Sequence, residues 1–172
     1  MVKKFVNSFM VVMIIIASVF IVITVTARVF HLEYFIVNGS SMEPTFHQNQ
    51  FVLYKKSVGL HRGDIVLLNK PPEWITKEYP DKKILLKRIV GLPGDIVIGN
   101  NKTLTVNGTK ISLPPGCVLP STKQILKDNQ FFIVGDNSKS SMDSRYHMCN
   151  EDDFIPIERK DIITAIKTVW KV

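Results

Sequence analysis

The sequence predicts a mainly β domain preceded by one N-terminal transmembrane helix. The first observation is an uncharged, apolar run of 23 residues, Phe5–Ala27, close to the N-terminus. The second is a series of short Val-, Ile- and Leu-rich segments after residue 31, separated by Gly, Pro, Asn and Asp, which is typical of strands and turns. The third is that this later region shows no sustained helical period, which argues against a helical fold.

The apolar run is long enough to cross a membrane. At about 1.5 Å per residue the helix is about 35 Å long, against a hydrocarbon core of about 30 Å. The alternative is a signal peptide that is removed, because its small residues Val25-Thr26-Ala27 offer a cleavage point. The length favours a retained, single-pass anchor in the cell membrane. Lys3 and Lys4 outweigh Arg28 and predict a cytoplasmic N-terminus.

These two regions define the domain organisation. We expect residues 1–30 to form a cytoplasmic tip and membrane anchor, and residues 31–172 to form one extracytoplasmic catalytic β domain. Turn residues predict an inserted hairpin and loop at about residues 99–130, with a two-residue turn at Asn107-Gly108. The predicted strands are Phe35–Val37, Phe51–Lys56, Asp64–Lys70, Lys83–Gly91, Asp95–Asn100, Thr103–Ile111, Phe131–Asp136 and Asp161–Trp170.

Composition limits the classes of partner and cofactor that this chain is expected to bind. The net charge of +7 comes from scattered Lys and Arg, and no nucleic-acid motif is present, so no nucleic-acid partner is expected. A basic surface beside anionic lipid explains the charge equally well. The four histidines are isolated in the sequence, so neither a metal site nor a cofactor is predicted. Cys117 and Cys149 are compatible with a disulfide or with two free thiols.

The stretch Asn38–Thr45, NGSSMEPT, is a candidate nucleophile loop. Peptide hydrolysis needs a nucleophile, a base and a donor that stabilises the oxyanion. Gly39 gives the backbone freedom before Ser40 and Ser41, and Pro44 stiffens the exit, which suits a close approach to a substrate carbonyl. Taken alone, such a stretch is usually a turn.

A lysine is the best candidate for the base. His31, His47, His61 and His147 lie in no recognisable triad frame, and Gly-x-Ser-x-Gly is absent. In the apolar segment ILLKRIVGLPGD, an extended chain places Lys87 on one face with Leu85 and Ile89. Partial desolvation there predicts an apparent pKa of about 8 to 9, against about 10.4 for a free lysine. The alternative is a strand whose Lys87 and Arg88 both reach water.

A third polar segment, GDNSKSSMDSR, follows the apolar FFIV directly. Asp143 and Arg145 are placed to form a buried pair, and Ser141 is placed to hydrogen-bond a lysine amine and orient it. Read by itself, this segment is an ordinary polar loop.

In this order, the three segments resemble the type I signal peptidases, the membrane-bound Ser-Lys peptidases that remove signal peptides. The motifs are SMEPT, RGDIV (Arg62–Val66), KRIVGLPGD (Lys87–Asp95) and GDNSKSSMDSR (Gly135–Arg145), and the resemblance covers nearly the whole chain. The single anchor and small insert resemble the compact form of Gram-positive bacteria. The resemblance implies a signal-peptidase-like β domain that lies on the membrane surface.

The resemblance also implies a role for each site residue. Ser41 is then the nucleophile, Lys87 the general base and Ser141 the group that orients the lysine. Some family members carry an oxyanion-hole serine two positions before the nucleophile, where this chain has glycine, so the second oxyanion donor stays open. The resemblance implies that Asp143 and Arg145 give structural support, and Gly39 is a further residue that we expect to support the site.

The expected activity is removal of signal peptides from secreted preproteins after small residues at −3 and −1. Phe35, Val37, Met42 and Leu86 are predicted to form shallow apolar pockets, with plain core packing as the alternative. The expected partners are signal-peptide-bearing preproteins, the phospholipid membrane and a nearby secretion translocon. The alternative function is a membrane-tethered, non-proteolytic assembly factor for pili or surface proteins, which loss of the nucleophile or the lysine would mark.

Overall fold

The secondary structure consists of one long helix followed by short strands. The computed structural model describes residues 2–29, 32–57, 59–69, 84–150 and 155–171. His31 and the strand ends predicted at Lys70 and Lys83 lie outside these residues. The helices are α1 (Val2–Val29) and α2 (Arg145–Asn150), and the strands are β1 (Leu32–Ile36), β2 (Phe51–Ser57), β3 (Ile65–Asn69), β4 (Ile84–Gly91), β5 (Ile96–Asn101), β6 (Thr103–Val106), β7 (Thr109–Ile111), β8 (Leu119–Ile125), β9 (Gln130–Val134), β10 (Ile157–Glu158) and β11 (Ile162–Lys171).

Helix α1 is long and apolar enough to cross a membrane. The qualifying stretch is Ser8–Thr26, 19 residues, and no part of it is buried against the rest of the protein. Large apolar side chains such as Ile14 and Phe20 are exposed all around the helix. A helix that is apolar on every side and lacks protein cover is compatible with membrane anchoring.

The strands after α1 form two antiparallel sheets, so the predicted mainly β fold class is confirmed. The larger sheet has the strand order β1-β2-β11-β3-β4-β9-β10, and the smaller has the order β7-β6-β5-β8. The smaller sheet is inserted between β4 and β9, which are neighbours in the larger one. The insertion therefore starts and ends beside the two strands that lead into the candidate site.

Strand β9 separates two hydrophobic cores because its residues alternate between them. Phe131 and Ile133 pack in the core of the larger sheet, and Phe132 and Val134 pack in the core of the smaller one. Because β9 is buried on both faces, its sequence contains the continuous apolar run FFIV and not an alternating pattern. The polar chain that follows β9 therefore leaves from a fixed point between the two cores.

The smaller sheet contains one predicted turn and one strand that the predictions do not include. Asn107 and Gly108 have φ values of +48° and +77°, and Val106 pairs with Thr109, so the two-residue turn is confirmed. Strand β8 is absent from the predicted strands because it is an edge strand with mostly polar, exposed residues. Its only buried residue is Leu119, so the sequence lacks an apolar pattern there.

Candidate active site

Ser41 lies in the loop that joins β1 to β2, and buried apolar side chains hold this loop in place. Met42 is 2% exposed and Phe46 is fully buried, and both belong to one core cluster. Gly39 has a φ of +112°, which other residues rarely adopt, while no atom lies within 4 Å of the position that a Cβ would take. The glycine is therefore required by the backbone conformation and not by lack of space.

Lys87 reaches Ser41 from the buried face of β4. Its Nζ donates a hydrogen bond to Ser41 Oγ over 3.0 Å. Its side chain lies on the same strand face as Leu85 and Ile89 and is only 2% exposed, so it does not extend to bulk water. The side-chain alternation of the strand and the pairing of Lys87 with Val66 of β3 together direct the amine into the protein.

Arg88, on the opposite face of β4, connects three segments around Ser41. It donates to both carboxylate oxygens of Asp136, over 2.8 and 2.7 Å, and to the Gly63 carbonyl. Thr45 of the nucleophile loop donates to the same carboxylate. Burial raises the pKa of Asp136, but the hydrogen bonds from Arg88 and Thr45 outweigh burial, so its pKa lies below the ordinary value. An ionised carboxylate thus joins β4, the nucleophile loop and the chain after β9.

Asp143 and Arg145 form a buried ion pair, as the positions of the two residues suggested. The exposed fractions of the side chains are 0% and 2%. Asp143 also accepts hydrogen bonds from the Gly135 amide and from the Ser141 hydroxyl. Arg145 donates further to the carbonyls of Ser112 and Gly135. Buried charges of this kind are stable only when their hydrogen bonds are satisfied, which makes the arrangement rigid.

Gly135 is a position at the candidate site that the sequence reasoning missed. A Cβ at this residue would lie 2.2 Å from Ser141 Oγ and 2.5 Å from the Ser41 carbonyl oxygen, which is impossible without movement. Ser41 and Ser141, 100 positions apart, therefore approach each other across Gly135. The available signal was a glycine directly after the apolar run FFIV, because a glycine in or beside a strand often marks a close backbone approach.

Asn137 is the second missed position, and it holds the backbone of the nucleophile loop. Its backbone N–H donates to the Ser41 carbonyl over 3.0 Å, and its side-chain amide donates to the Ser40 carbonyl over 3.2 Å. The Ser40 hydroxyl itself is hydrogen-bonded to the hydroxyl of Ser140 over 2.8 Å. Ser40 is therefore directed toward the loop after β9, whereas Ser41 is directed toward Lys87.

A cleft with a volume of about 650 Å³ opens onto Ser41 and Lys87. Its lining includes Ser41, Lys87 and Gly39, together with the four predicted pocket residues Phe35, Val37, Met42 and Leu86. Val37 and Met42 are buried and pack in the core, whereas Phe35 and Leu86 are partly exposed and present more surface to the cleft. Asp143 and Arg145 are not among the residues that line the cleft. Within the described part of the chain, no three His, Cys, Asp or Glu side chains are placed to hold a metal ion.

The cleft also has a polar group that the sequence did not reveal. Glu33 and Tyr54 line it, and Tyr54 donates to Glu33 over 2.9 Å. A hydrogen bond from Lys56 lowers the pKa of Glu33 more than burial raises it. Burial and the hydrogen bond to Glu33 raise the pKa of Tyr54. At neutral pH the cleft therefore carries a carboxylate, which is paired with Lys56, and an uncharged phenol.

Comparison with known proteins decides the family. The sequence model of the family described as "Signal peptidase, peptidase S26" matches residues 6–171. This chain belongs to that family. Signal peptidase I U of Bacillus subtilis (strain 168) is 31% identical over 154 residues, which cover 77% of this chain and 76% of that protein. Signal peptidase I of Bacillus amyloliquefaciens is 35% identical over 145 residues, which cover 73% and 71% of the two chains.

A solved structure is also similar to this chain. The crystal structure of a signal peptidase I from Enterococcus faecalis V583 is 19% identical, with a TM-score of 0.42, and the match covers 63% of this chain and 97% of that one. The resemblance inferred from the motifs is confirmed by the family match. Family membership makes the chain a peptidase of the signal-peptide-processing class.

Proposed function

We propose that this chain is a membrane-bound serine endopeptidase that removes signal peptides from secreted preproteins with a Ser41–Lys87 dyad. The observation that carries the proposal is the 3.0 Å hydrogen bond between Lys87 Nζ and Ser41 Oγ, made by a lysine that is 2% exposed. A serine hydroxyl is a weak nucleophile until a base takes its proton. A buried amine is suited to that task because desolvation disfavours the ammonium form.

The dyad performs both halves of the reaction. Neutral Lys87 accepts the proton of Ser41 while Oγ attacks the scissile carbonyl carbon, forming a tetrahedral oxyanion. The resulting ammonium then protonates the departing amine of the mature protein, and an acyl-enzyme ester remains on Ser41. A water molecule that gives its proton to Lys87 hydrolyses this ester, which releases the signal peptide and restores both residues.

The Ser41 amide is the first candidate for the oxyanion donor. The side chain of Asn137 holds the Ser40 carbonyl, and the Ser40–Ser41 peptide is trans. In a trans peptide the N–H points opposite to the C=O, so the Ser41 N–H is directed away from Asn137. A fixed donor of this kind stabilises developing charge without reorganisation.

Ser141 orients the base in this proposal. Its single hydroxyl proton is donated to Asp143, so its oxygen lone pairs remain as acceptors for an amine N–H. Asp143 is held in turn by Arg145, which prevents the hydroxyl from rotating. Because the Lys87 amine has several rotamers, such an acceptor selects the one that is directed at Ser41.

Substrate preference follows from the apolar walls of the cleft. Phe35 is held by ring contacts with Phe46 and Tyr54, at centroid distances of 6.2 and 5.5 Å, and it lines the cleft together with Leu86. Shallow, well-packed walls accept alanine and reject large side chains, because enlarging the site would disturb the core. We therefore expect small residues at −1 and −3 of the substrate.

The membrane sets where the reaction occurs. We expect α1 to span the membrane with its N-terminus in the cytoplasm, and the β domain to lie on the outer face, where preproteins leave the translocon. Protease added to the outside of intact cells whose wall has been removed is expected to cut after Leu32 and to spare Lys3. Protection of the β domain would contradict this orientation.

The direct test is cleavage of a panel of preproteins by the full chain in detergent, with cut sites identified by mass spectrometry. We expect cuts after small residues at −1 and −3, no cleavage by Ser41→Ala, and most of the activity in the adjacent control Ser40→Ala. Leu86→Ala enlarges one wall and should admit larger residues. Binding without cleavage by the wild type would instead support the assembly-factor alternative.

A second experiment tests the base. We expect kcat/KM to rise with pH as one proton leaves, with a midpoint below the ordinary lysine value of about 10.4. Lys87→Arg should be inactive throughout, because a guanidinium stays charged. A rising limb that persists in Lys87→Ala would show that another group is the base.

A further inference from the structure

We propose that the Cys117–Cys149 disulfide is a positioning element of the peptidase site, so that reducing it lowers the turnover rate. The two cysteines are bonded, with their Cα atoms 5.2 Å apart. They lie far from Ser41 in sequence, and the cleft lining includes neither of them. The proposal rests on the Ser41–Lys87 mechanism, because it concerns the groups that hold the base.

The disulfide is one of two contacts that connect α2 to the loop between β7 and β8. Residues 112–117 contact α2 at two points, and the first residue of α2 is Arg145 and the fifth is Cys149. Arg145 donates to the Ser112 carbonyl over 2.6 Å, and Cys149 is bonded to Cys117. Residues four apart lie on the same face of a helix, so one helical turn is fastened to the same loop at both of its ends.

Helix α2 depends on such contacts for its position. It has six residues, far fewer than the roughly 12 that an isolated helix needs for marginal stability. Met148, which is 1% exposed, packs it against the core of the smaller sheet. The disulfide is the covalent constraint among these contacts, and it joins α2 to the inserted sheet rather than to the strands that carry Lys87.

Arg145 transmits the constraint to the site. Its guanidinium binds both Ser112 and Asp143, and Asp143 accepts the Ser141 hydroxyl proton. If the loop moves away, the buried guanidinium loses an acceptor and shifts to recover one, because an unsatisfied buried donor is costly. Asp143 and Ser141 then shift with it, away from the geometry that orients the amine. Arg145 and the two cysteines act through Asp143, Ser141 and Gly135 and not on the reacting atoms, so they are positioning residues.

Reduction by a small dithiol supplies the chemical step. A dithiol thiolate attacks one sulfur of the disulfide and displaces the other as a thiolate. The second dithiol sulfur then attacks the mixed disulfide, which releases the remaining cysteine. The reductant becomes a cyclic disulfide, and the protein gains two electrons and, after protonation, two thiol hydrogens.

The test compares the oxidised and the dithiothreitol-treated forms of the whole 172-residue chain in detergent, with one preprotein as substrate and with kcat and KM followed separately. A thiol-specific label and intact mass establish that both cysteines are free. Because a displacement of about 1 Å can cost up to about a hundredfold in rate, we expect kcat to fall about tenfold on reduction. KM should not change, and reoxidation should restore kcat. Full kcat with both thiols free would overturn the proposal.

Two variants separate positioning from simple destabilisation. Cys117→Ala/Cys149→Ala should have the reduced kcat and should not respond to dithiothreitol. Leu104→Ala removes a fully buried side chain from β6 of the same inserted sheet and should lower Tm while leaving kcat intact at a temperature where it is folded. An equal loss of kcat in Leu104→Ala would assign the effect to stability and contradict the proposal. Failure of the oxidised wild type to cleave would instead contradict the proposed function.

Discussion

Two carboxylate–guanidinium pairs hold the polar segment after β9, and they differ in burial. The Asp143–Arg145 side chains are 0% and 2% exposed, whereas the Asp136 and Arg88 side chains are 16% and 28% exposed. Asp143 and Arg145 are two positions apart and fix the Ser141 hydroxyl. Asp136 and Arg88 come from distant parts of the chain, and they join the polar segment after β9 to the nucleophile loop.

The difference in burial separates two kinds of support. A fully buried pair contributes little net stability, because desolvation offsets the attraction, but removing one partner leaves a charge in an apolar interior. A pair in contact with water has a solvated alternative and loses little when it is broken. The buried pair should therefore control both folding and the geometry around Ser141, and the partly exposed pair should control mainly the alignment of two loops.

Breaking the buried pair should produce the largest effect. We expect Arg145→Leu to lower the free energy of unfolding by about 3–5 kcal/mol and kcat by at least about a hundredfold, because Asp143 stays buried without its partner. Denaturant unfolding and preprotein cleavage measure the two effects. Asp143→Asn/Arg145→Leu should recover stability but not kcat, and a fully active double variant would disprove the positioning role.

Filling the space beside the buried pair should affect activity more than stability. Gly135→Ala places a methyl group against Ser141 Oγ and the Ser41 carbonyl, and we expect kcat to fall about a hundredfold from the displacement. Gly108→Ala, in a distant turn, is the control. Its φ of +77° strains any residue other than glycine, but no atom lies within 4 Å of the position that a Cβ would take. It should lower Tm slightly with unchanged kcat. Equal rates in the two variants would contradict the close approach.

Breaking the partly exposed pair should have a moderate effect. Asp136→Asn keeps the shape of the side chain but removes its charge, so Arg88 and Thr45 lose a strong acceptor. We expect a stability loss of about 1 kcal/mol, reduced by exposure to water, with kcat lowered less than in Arg145→Leu. The same unfolding and cleavage assays rank the two pairs, and the reverse ranking would refute the burial argument.

Acid should weaken the partly exposed pair in a defined pH window. The Asp136 pKa is lowered from the ordinary value of 3.8, so its contribution is complete above that pH and is lost as pH falls through the lower folded value. We expect Tm of the wild type to approach that of Asp136→Asn below about pH 3.8 and to exceed it near neutrality. Parallel Tm curves across this range would show that the Asp136 pKa is not lowered.

The smallest effect is expected at Ser40. Its hydrogen bond with the Ser140 hydroxyl is exposed, and water replaces such a partner at little cost. Ser40→Ala should therefore change kcat/KM by less than about threefold and leave Tm within about 1 °C, as judged from typical exposed hydrogen bonds. A large loss would place Ser40 in the reaction itself.

Much of this protein follows from local sequence. The apolar run of α1, the strand alternation that places Lys87 with Leu85 and Ile89, and the Asn107-Gly108 turn all depend on neighbouring residues. Backbone periodicity and turn conformations are short-range properties, so a reader of the sequence can derive them. Local patterns make Ser41 and Lys87 candidates, and the motif resemblance implies their roles as nucleophile and base.

Only the tertiary structure decided which distant groups meet. Gly135 separates Ser41 from Ser141, Asn137 holds the Ser41 carbonyl, and Cys117 bonds to Cys149 across 32 positions. Local patterns carry no information about such pairs, because each depends on how the inserted sheet returns the chain to β9 beside β4. The tertiary structure also decides that β8 is a strand, because its mostly polar residues become extended only by pairing with β5.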